Sequence, residues 1–395
     1  MNFTNLKNCM DKFVNEYGTP GVDVIVYRNH EVLYRYFTGY SDIENGKVVT
    51  GDELYLIFSM TKMLTCCSAL QLLEQGKYNL DDPISKYLPE YSKMKITTDE
   101  LNTANAAKVA SGSTAGEHTQ NTDSGYAKTP ITVRHLFTMT AGLDYNLYSD
   151  DIKNAKAQGK TSTRDLVCAM SDKILGFEPG TRFRYSLCHD VLGALVEVWS
   201  GLSLGEYMKQ NIFDKIGMHN TFFGVPKDEE HLSRMAALYK FDENKKPKKQ
   251  PLDCPYNLSE DYQSGGAGLT SCCDDYSKFL DTIACGGIAK NGNRILKEDT
   301  INLWKTNQLS DKAQEDFYRL REGYGYGLGV RTHTIPERSG NLSPVGEFGW
   351  DGAAGAFSMV DCDNKISLTY FQSIFSWDVK IQTEMRNALY KDLAL

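Results

Sequence analysis

No cysteine or histidine spacing in this sequence holds a metal, and no stretch is apolar for long enough to cross a membrane. Neither C-x-x-C nor H-E-x-x-H occurs, so zinc-knuckle, thioredoxin-like and zincin chemistry are excluded, and no metal or other cofactor is called for. A run of about 18 apolar residues is also missing. The first turns carry Lys7, Asp11, Lys12 and Glu16 where a signal peptide would have an apolar core, so a cytoplasmic location without a membrane partner is expected. Positive charge is in deficit, with 43 Lys and Arg against 51 Asp and Glu and a net charge of −8. Nucleic acid is therefore not an expected partner, because binding phosphates needs a basic face. The P-loop is absent as well. Ser264-Gly265-Gly266-Ala267-Gly268-Leu269 lacks its lysine, and Gly159-Lys160-Thr161 is preceded at the required spacing by Asn154.

Ten cysteines are present, but Cys66-Cys67 and Cys272-Cys273 are adjacent pairs and the rest are scattered. Buried, reduced thiols acting as small apolar groups fit this pattern, which favours a reducing compartment.

What the chain does have is ordinary globular material: 395 residues, 41% hydrophobic and 24% charged. Phe3, Leu6, Cys9, Met10, Phe13 and Val14 recur at helical spacing in 2–17. Residues 22–27 and 32–37 then read as a strand pair. A long middle follows with helices predicted over 63–73, 164–175, 189–200, 204–212 and 275–283, and Thr132 capping another. Residues 95–129 turn to Thr, Asn, Ala, Ser and Gly and read as a polar surface insertion, either a loop or a lid. The lysine-rich 245–249 reads as a solvated loop. Strands are predicted over 324–330, 347–350, 355–360 and 366–372, and a helix over 380–393. The expected architecture is one two-lobed unit spanning 1–395, α/β plus all-α. Residues 1–60 and 260–395 would share a mixed, mainly antiparallel sheet flanked by helices, and 61–259 would form a mainly helical lobe.

Phe58-Ser59-Met60-Thr61-Lys62 stands at the head of an amphipathic run, 61–75. A serine and a lysine three apart at a helix start share a face, so the amine can take the hydroxyl proton and make a nucleophile. S-x-x-K marks penicillin-binding proteins and serine β-lactamases. A G-x-S-x-G elbow is absent, and nothing local supports a histidine-based triad; His135 and His189 read as structural.

Further passages support that marker. They are Asn79-Leu80-Asp81-Asp82-Pro83-Ile84 with Tyr87-Leu88-Pro89, and Ile131-Thr132-Val133-Arg134-His135-Leu136 with Thr140-Ala141-Gly142-Leu143. Phe177-Glu178-Pro179-Gly180 with Tyr185-Ser186, and Gly265-Gly266-Ala267-Gly268-Leu269, complete them. With these the chain resembles the serine β-lactamase and penicillin-binding-protein superfamily, most of all the branch of class C β-lactamases and related esterases and D-amino-acid peptidases. The resemblance implies Ser59 as acylated nucleophile, Lys62 as the lysine sharing its proton, and Tyr185 as the proton relay, a role that requires nearby cations to depress its phenol pKa, as Lys62 could. It also implies an oxyanion hole from the N–H groups of Ser59 and Ala353.

Two positions depart from the pattern. Leu187 replaces the asparagine of the second motif, and Trp350-Asp351-Gly352 stands where a Lys- or His-Thr/Ser-Gly strand is usual. Leu187, Trp350, Asp351 and Gly352 are thus the expected substrate-binding positions, with Trp350 and Gly352 on one strand face and Asp351 on the other. Loss of the cation and hydroxyl disfavours β-lactam carboxylates. Esterases of this superfamily resemble the sequence in having tryptophan there, which implies a small-molecule ester substrate with Trp350 as an apolar wall. A D-amino-acid peptidase or amidase, a weak β-lactamase, and a binding protein that does not turn over are the alternatives.

Overall fold

The computed structural model describes residues 2–97, 124–376 and 378–395. Helix α1 (Thr4–Asn15) leads into the hairpin β1 (Gly21–Arg28) and β2 (Glu31–Asp42), then the short β3 (Lys47–Val48). The principal helices of the middle are α2 (Thr61–Glu74), α3 (Cys188–Ser200) and α4 (Cys273–Ala284). The last third supplies β4 (Tyr324–Tyr326), β5 (Arg331–His333), β6 (Phe348–Gly349), β7 (Phe357–Asp361), β8 (Ile366–Phe371) and α5 (Val379–Leu393).

Both ends of the chain build one eight-stranded sheet in the order β4-β5-β6-β7-β8-β1-β2-β3. Each pairing in it is antiparallel; β8 lies beside β1 with Asp23 opposite Phe371 and Arg28 opposite Ile366. Parallel pairing among the described residues is confined to small accessory sheets and an isolated bridge between Leu54 and Met235. Strand alternation decides the two faces. Val22, Val24 and Val26 of β1 pack with Leu6, Met10 and Phe13 of α1 and Met385 and Leu389 of α5, while Ile25 belongs to the larger core on the other side. Each fully buried side chain of this kind gains about 1.5–3 kcal/mol. Ordering the backbone costs about 1–2 kcal/mol per residue, so α1 is helical because it is docked.

Some expectations are corrected here. The run 61–75 is not amphipathic: Thr61 to Leu72 of α2 are buried all round, in keeping with a buried helix over 63–73, because small and apolar residues let neighbours enclose the helix on every side. Residues 324–330 do not form one strand. The Gly327 N–H turns back to the Val330 carbonyl, and Gly329 adopts φ 99°, ending β4 at Tyr326 in a turn from which β5 starts at Arg331. The lysine-rich stretch contains Pro247–Lys249, paired antiparallel with Tyr239–Phe241. The ends of the polar insertion likewise form a ladder, Lys95–Thr97 with Ser124–Tyr126, and its centre, 98–123, lies outside the described residues.

The site is positioned by another small sheet, in which Leu269–Ser271 pairs with both Tyr55–Leu56 and Phe222–Phe223. The Ile57 N–H binds the Leu269 carbonyl at 3.1 Å, and the Leu269 N–H binds Thr61 Oγ1 at 3.1 Å. The glycine-rich turn is thereby fixed against the base of α2. The described residues contain no helix long and apolar enough to cross a membrane, and all ten cysteines are free.

Candidate active site

Ser59 lies in a single 3-10 turn, Phe58–Met60, that runs into α2. Phe58 has φ 43°, a left-handed conformation that costs a bulky residue about 1–3 kcal/mol. Its ring is fully buried, edge-on to Tyr256 at 5.8 Å and tilted against Phe375 at 5.3 Å, and this packing holds the kink. The chain therefore swings sharply from strand to helix, leaving Ser59 half-buried between two buried neighbours.

One turn on, the fully buried Lys62 amine donates to Ser59 Oγ at 3.3 Å, to the Tyr145 hydroxyl at 3.3 Å and to the Gly266 carbonyl at 2.6 Å. All three acceptors are uncharged. Burial pushes the amine down to about 7, against the opposing pull of the Asp190 carboxylate. An ammonium has three donors for these three acceptors. On losing a proton it keeps two for Gly266 and Tyr145 and can turn its lone pair to the serine.

Tyr185 donates to Ser59 Oγ at 2.8 Å and accepts from the Trp350 indole N–H at 3.3 Å. Its ring stacks between Tyr145 at 5.5 Å and Trp350 at 5.6 Å, with the Lys62 nitrogen 4.7 Å from the ring centre. The expected depression of its pKa is not found. Burial drives the phenol well above its ordinary value, outweighing its hydrogen bonds with Ser59 and Trp350, so Tyr185 rests as a neutral phenol.

Trp350-Asp351-Gly352 follows β6 as extended chain with a single bridge from Asp351 to Phe357, and its side chains divide as alternation requires. Trp350 faces Tyr185, while the Asp351 carboxylate is bound by Arg331 Nη1 at 2.8 Å and by Arg321, all nearly fully buried. Asp351 is thus withdrawn from the cleft, contrary to its expected place among substrate-binding groups, because two buried guanidinium groups claim it. Leu187 is likewise 1% exposed and packs into the helical core, where its side chain gains most. Gly352 touches the backbone before the nucleophile: a Cβ there would stand 2.6 Å from the Ile57 carbonyl. Ala353 packs against the cluster that contains Phe58.

Sequence reading missed Tyr145, which touches the amine, and Asp190, an acid buried within the apolar run of α3. An acid inside such a run was the available signal. His135 accepts the Thr132 N–H in a helix cap, and burial holds it down at about 4. His189 meets the Phe137 carbonyl at 3.2 Å and is held at about 3 by burial, so both histidines are structural. Among the described residues, metal-ligating side chains converge at His30, Asp281 and Cys285. There Asp281 is taken up by His30, through its N–H at 3.0 Å and its Nδ1 at 2.8 Å, as a clasp on the β1–β2 turn.

A buried lysine and a tyrosine converging on one serine oxygen, between an antiparallel sheet and a helical core, define a serine-hydrolase type of site. The chain belongs to the Beta-lactamase family, whose model matches residues 6–390, and is a hydrolase of that family. It is 26% identical to esterase EstB of Burkholderia gladioli, covering 89% of this chain and 85% of that one. It is 27% identical to the acyltransferase calJ of Penicillium decumbens, over 91% and 85% of the two chains. Among solved structures the fold matches EstCE1, a hydrolase with promiscuous acyltransferase activity, at TM-score 0.78 and 23% identity, covering 98% and 97%.

Proposed function

We propose that this protein hydrolyses small, uncharged carboxylic esters through an acyl-enzyme on Ser59. In this mechanism Lys62, as the neutral amine, takes the Ser59 proton as the hydroxyl attacks the ester carbonyl. Tyr185 passes a proton to the departing alkoxide, and water releases the acid in the second half-reaction. The N–H groups of Ser59 and Ala353 receive the oxyanion. The observation that carries the reading is the double hydrogen bond on Ser59 Oγ, from Lys62 and Tyr185.

The preference for esters rests on what surrounds that oxygen. Trp350, Tyr185, Tyr145, Tyr256, Phe58 and Phe375 form a chain of ring contacts, with successive centroids 5.3–5.8 Å apart. The two arginines nearest Asp351 are engaged by its carboxylate, not presented to a substrate anion. Relatives named as an esterase and an acyltransferase support small acyl substrates.

A fluorophosphonate probe, a p-nitrophenyl ester series, nitrocefin and D-alanyl peptides test this together. Wild type is expected to turn over short esters and to be labelled at Ser59, and Ser59→Ala to lose both. Turnover that survives Ser59→Ala, or label on another serine, would overturn the assignment. Faster turnover of D-alanyl peptides or nitrocefin would replace the ester by those substrates.

A further inference from the structure

Beneath the amine lies a second buried ionisable group that the mechanism above does not use. Asp190 is 1% exposed, in the first turn of α3. Its Oδ1 accepts from the Tyr262 hydroxyl at 2.9 Å and the Ser264 hydroxyl at 2.6 Å. Its Oδ2 is buried and accepts from no side chain. That oxygen points to the place where Gly266 has no side chain: a Cβ on Gly266 would be 2.6 Å from Asp190 Oδ2 and 3.3 Å from both Lys62 Nζ and the Tyr145 hydroxyl. Acid and amine thus face each other across one glycine, outside ion-pair distance.

We propose that Asp190 is a positioning residue for the Ser59 reaction: a buried anion that holds the Lys62 ammonium in place between turnovers and so sets the pH above which the amine can accept the serine proton. The inference rests on the role given to Lys62 above.

The other groups around the amine leave this task to Asp190. Cys66 on α2 and Cys188 on α3 are held as thiols by burial, and His189 is held neutral. Tyr145 and Tyr185 are held as phenols. Burial raises the Asp190 carboxyl too, while Ser264, Lys62, Tyr262 and the Gly266 backbone N–H oppose that rise by stabilising the anion. Two hydroxyl donors converge on one oxygen, while the other lies beside the Gly266 backbone on the side of the amine, an arrangement that fits a carboxylate answering a cation. Gly266 keeps this line open and supplies the amine's shortest hydrogen bond through its carbonyl.

The sign of the effect follows. An anion near an amine favours the ammonium, so removing the anion lowers the amine's pKa. The rate at which a fluorophosphonate labels Ser59, followed by mass spectrometry between about pH 5 and pH 9, reads the neutral amine directly. Asp190→Asn is expected to move the acid limb of that profile to lower pH by about one unit. Tyr262→Phe keeps the carboxylate but removes one of its donors, and is expected to move the limb less in the same direction; it serves if Asp190→Asn does not fold. Variants that lose stability while the limb stays fixed would show a purely structural Asp190 and overturn the proposal. A wild-type profile without an acid limb, or label away from Ser59, would instead overturn the role of Lys62.

Discussion

Two groups of buried cations flank Trp350, and the protein treats them in opposite ways. On one side Lys62 is surrounded by a hydroxyl, a phenol and a carbonyl, with its nearest acid set back behind a glycine. On the other side Arg331, Arg321 and Arg386 share Asp351 and Glu347 in direct contact. Burial pushes Lys62 down to about 7, where it can exchange protons near neutral pH. Burial also lowers Arg331, to about 9, which still leaves it a cation. A buried charge answered by neutral dipoles becomes reactive, and one answered by carboxylates becomes scaffold. The scaffold has a function at one remove. Asp351 is held by the arginines, Arg331 also donates to the Ser358 carbonyl at 2.6 Å, and the Ser358 hydroxyl binds the Trp350 carbonyl at 2.8 Å. The indole that donates to Tyr185 is thereby anchored to the ion cluster.

The comparison predicts different failures. Lys62→Met removes the proposed base, and should cut kcat for a reactive p-nitrophenyl ester by about 10²–10⁴-fold with the fold intact by circular dichroism. A loss under tenfold would place the base elsewhere. Arg331→Met leaves Asp351 and Glu347 buried with less positive charge. It should destabilise the chain by about 3–5 kcal/mol in urea unfolding, the usual cost of orphaning a buried partner. A stable variant with reduced activity would mean the cluster serves the reaction rather than the scaffold.

How much of this was legible in the sequence follows the same division. The helices and strands of both chain ends, the shared sheet and the contact of Ser59, Lys62 and Tyr185 could be read because local periodicity and motif spacing encode them. Alternation alone sent Asp351 to the face opposite Trp350. What the sequence did not show is what waits there. Arg321 and Arg331 come from a separate strand and its approach, and nothing in their own neighbourhood marks them as partners of residue 351. Tyr145 and Asp190 were hidden for a similar reason, since their contact with Lys62 depends on how the glycine-rich turn and α3 close around α2. The Tyr185 pKa was misjudged because a nearby cation is visible in a motif, whereas the depth of burial is not.

The smallest predicted effect is a change of sign. Lys62 has its ordinary value of 10.5 in the unfolded chain and about 7 when folded. Below about pH 7 the amine is charged in both states, and the cost of burying that charge is present in full. Between about 7 and 10.5 the unfolded chain holds the extra proton, so stability rises with pH across that window. Methionine at 62 has no such cost, and Asp190, whose carboxyl is already raised, can take up a proton once the cation is gone. Lys62→Met should therefore be more stable than wild type by about 1–2 kcal/mol at neutral pH, as substitutions of strained functional groups often are. The gain should shrink steadily toward pH 10.5, in the same urea measurement that finds Arg331→Met destabilised. A Lys62→Met variant less stable than wild type at neutral pH, or one whose difference ignores pH, would place Lys62 with the arginines as a structural cation and erase the contrast between the two sides of Trp350.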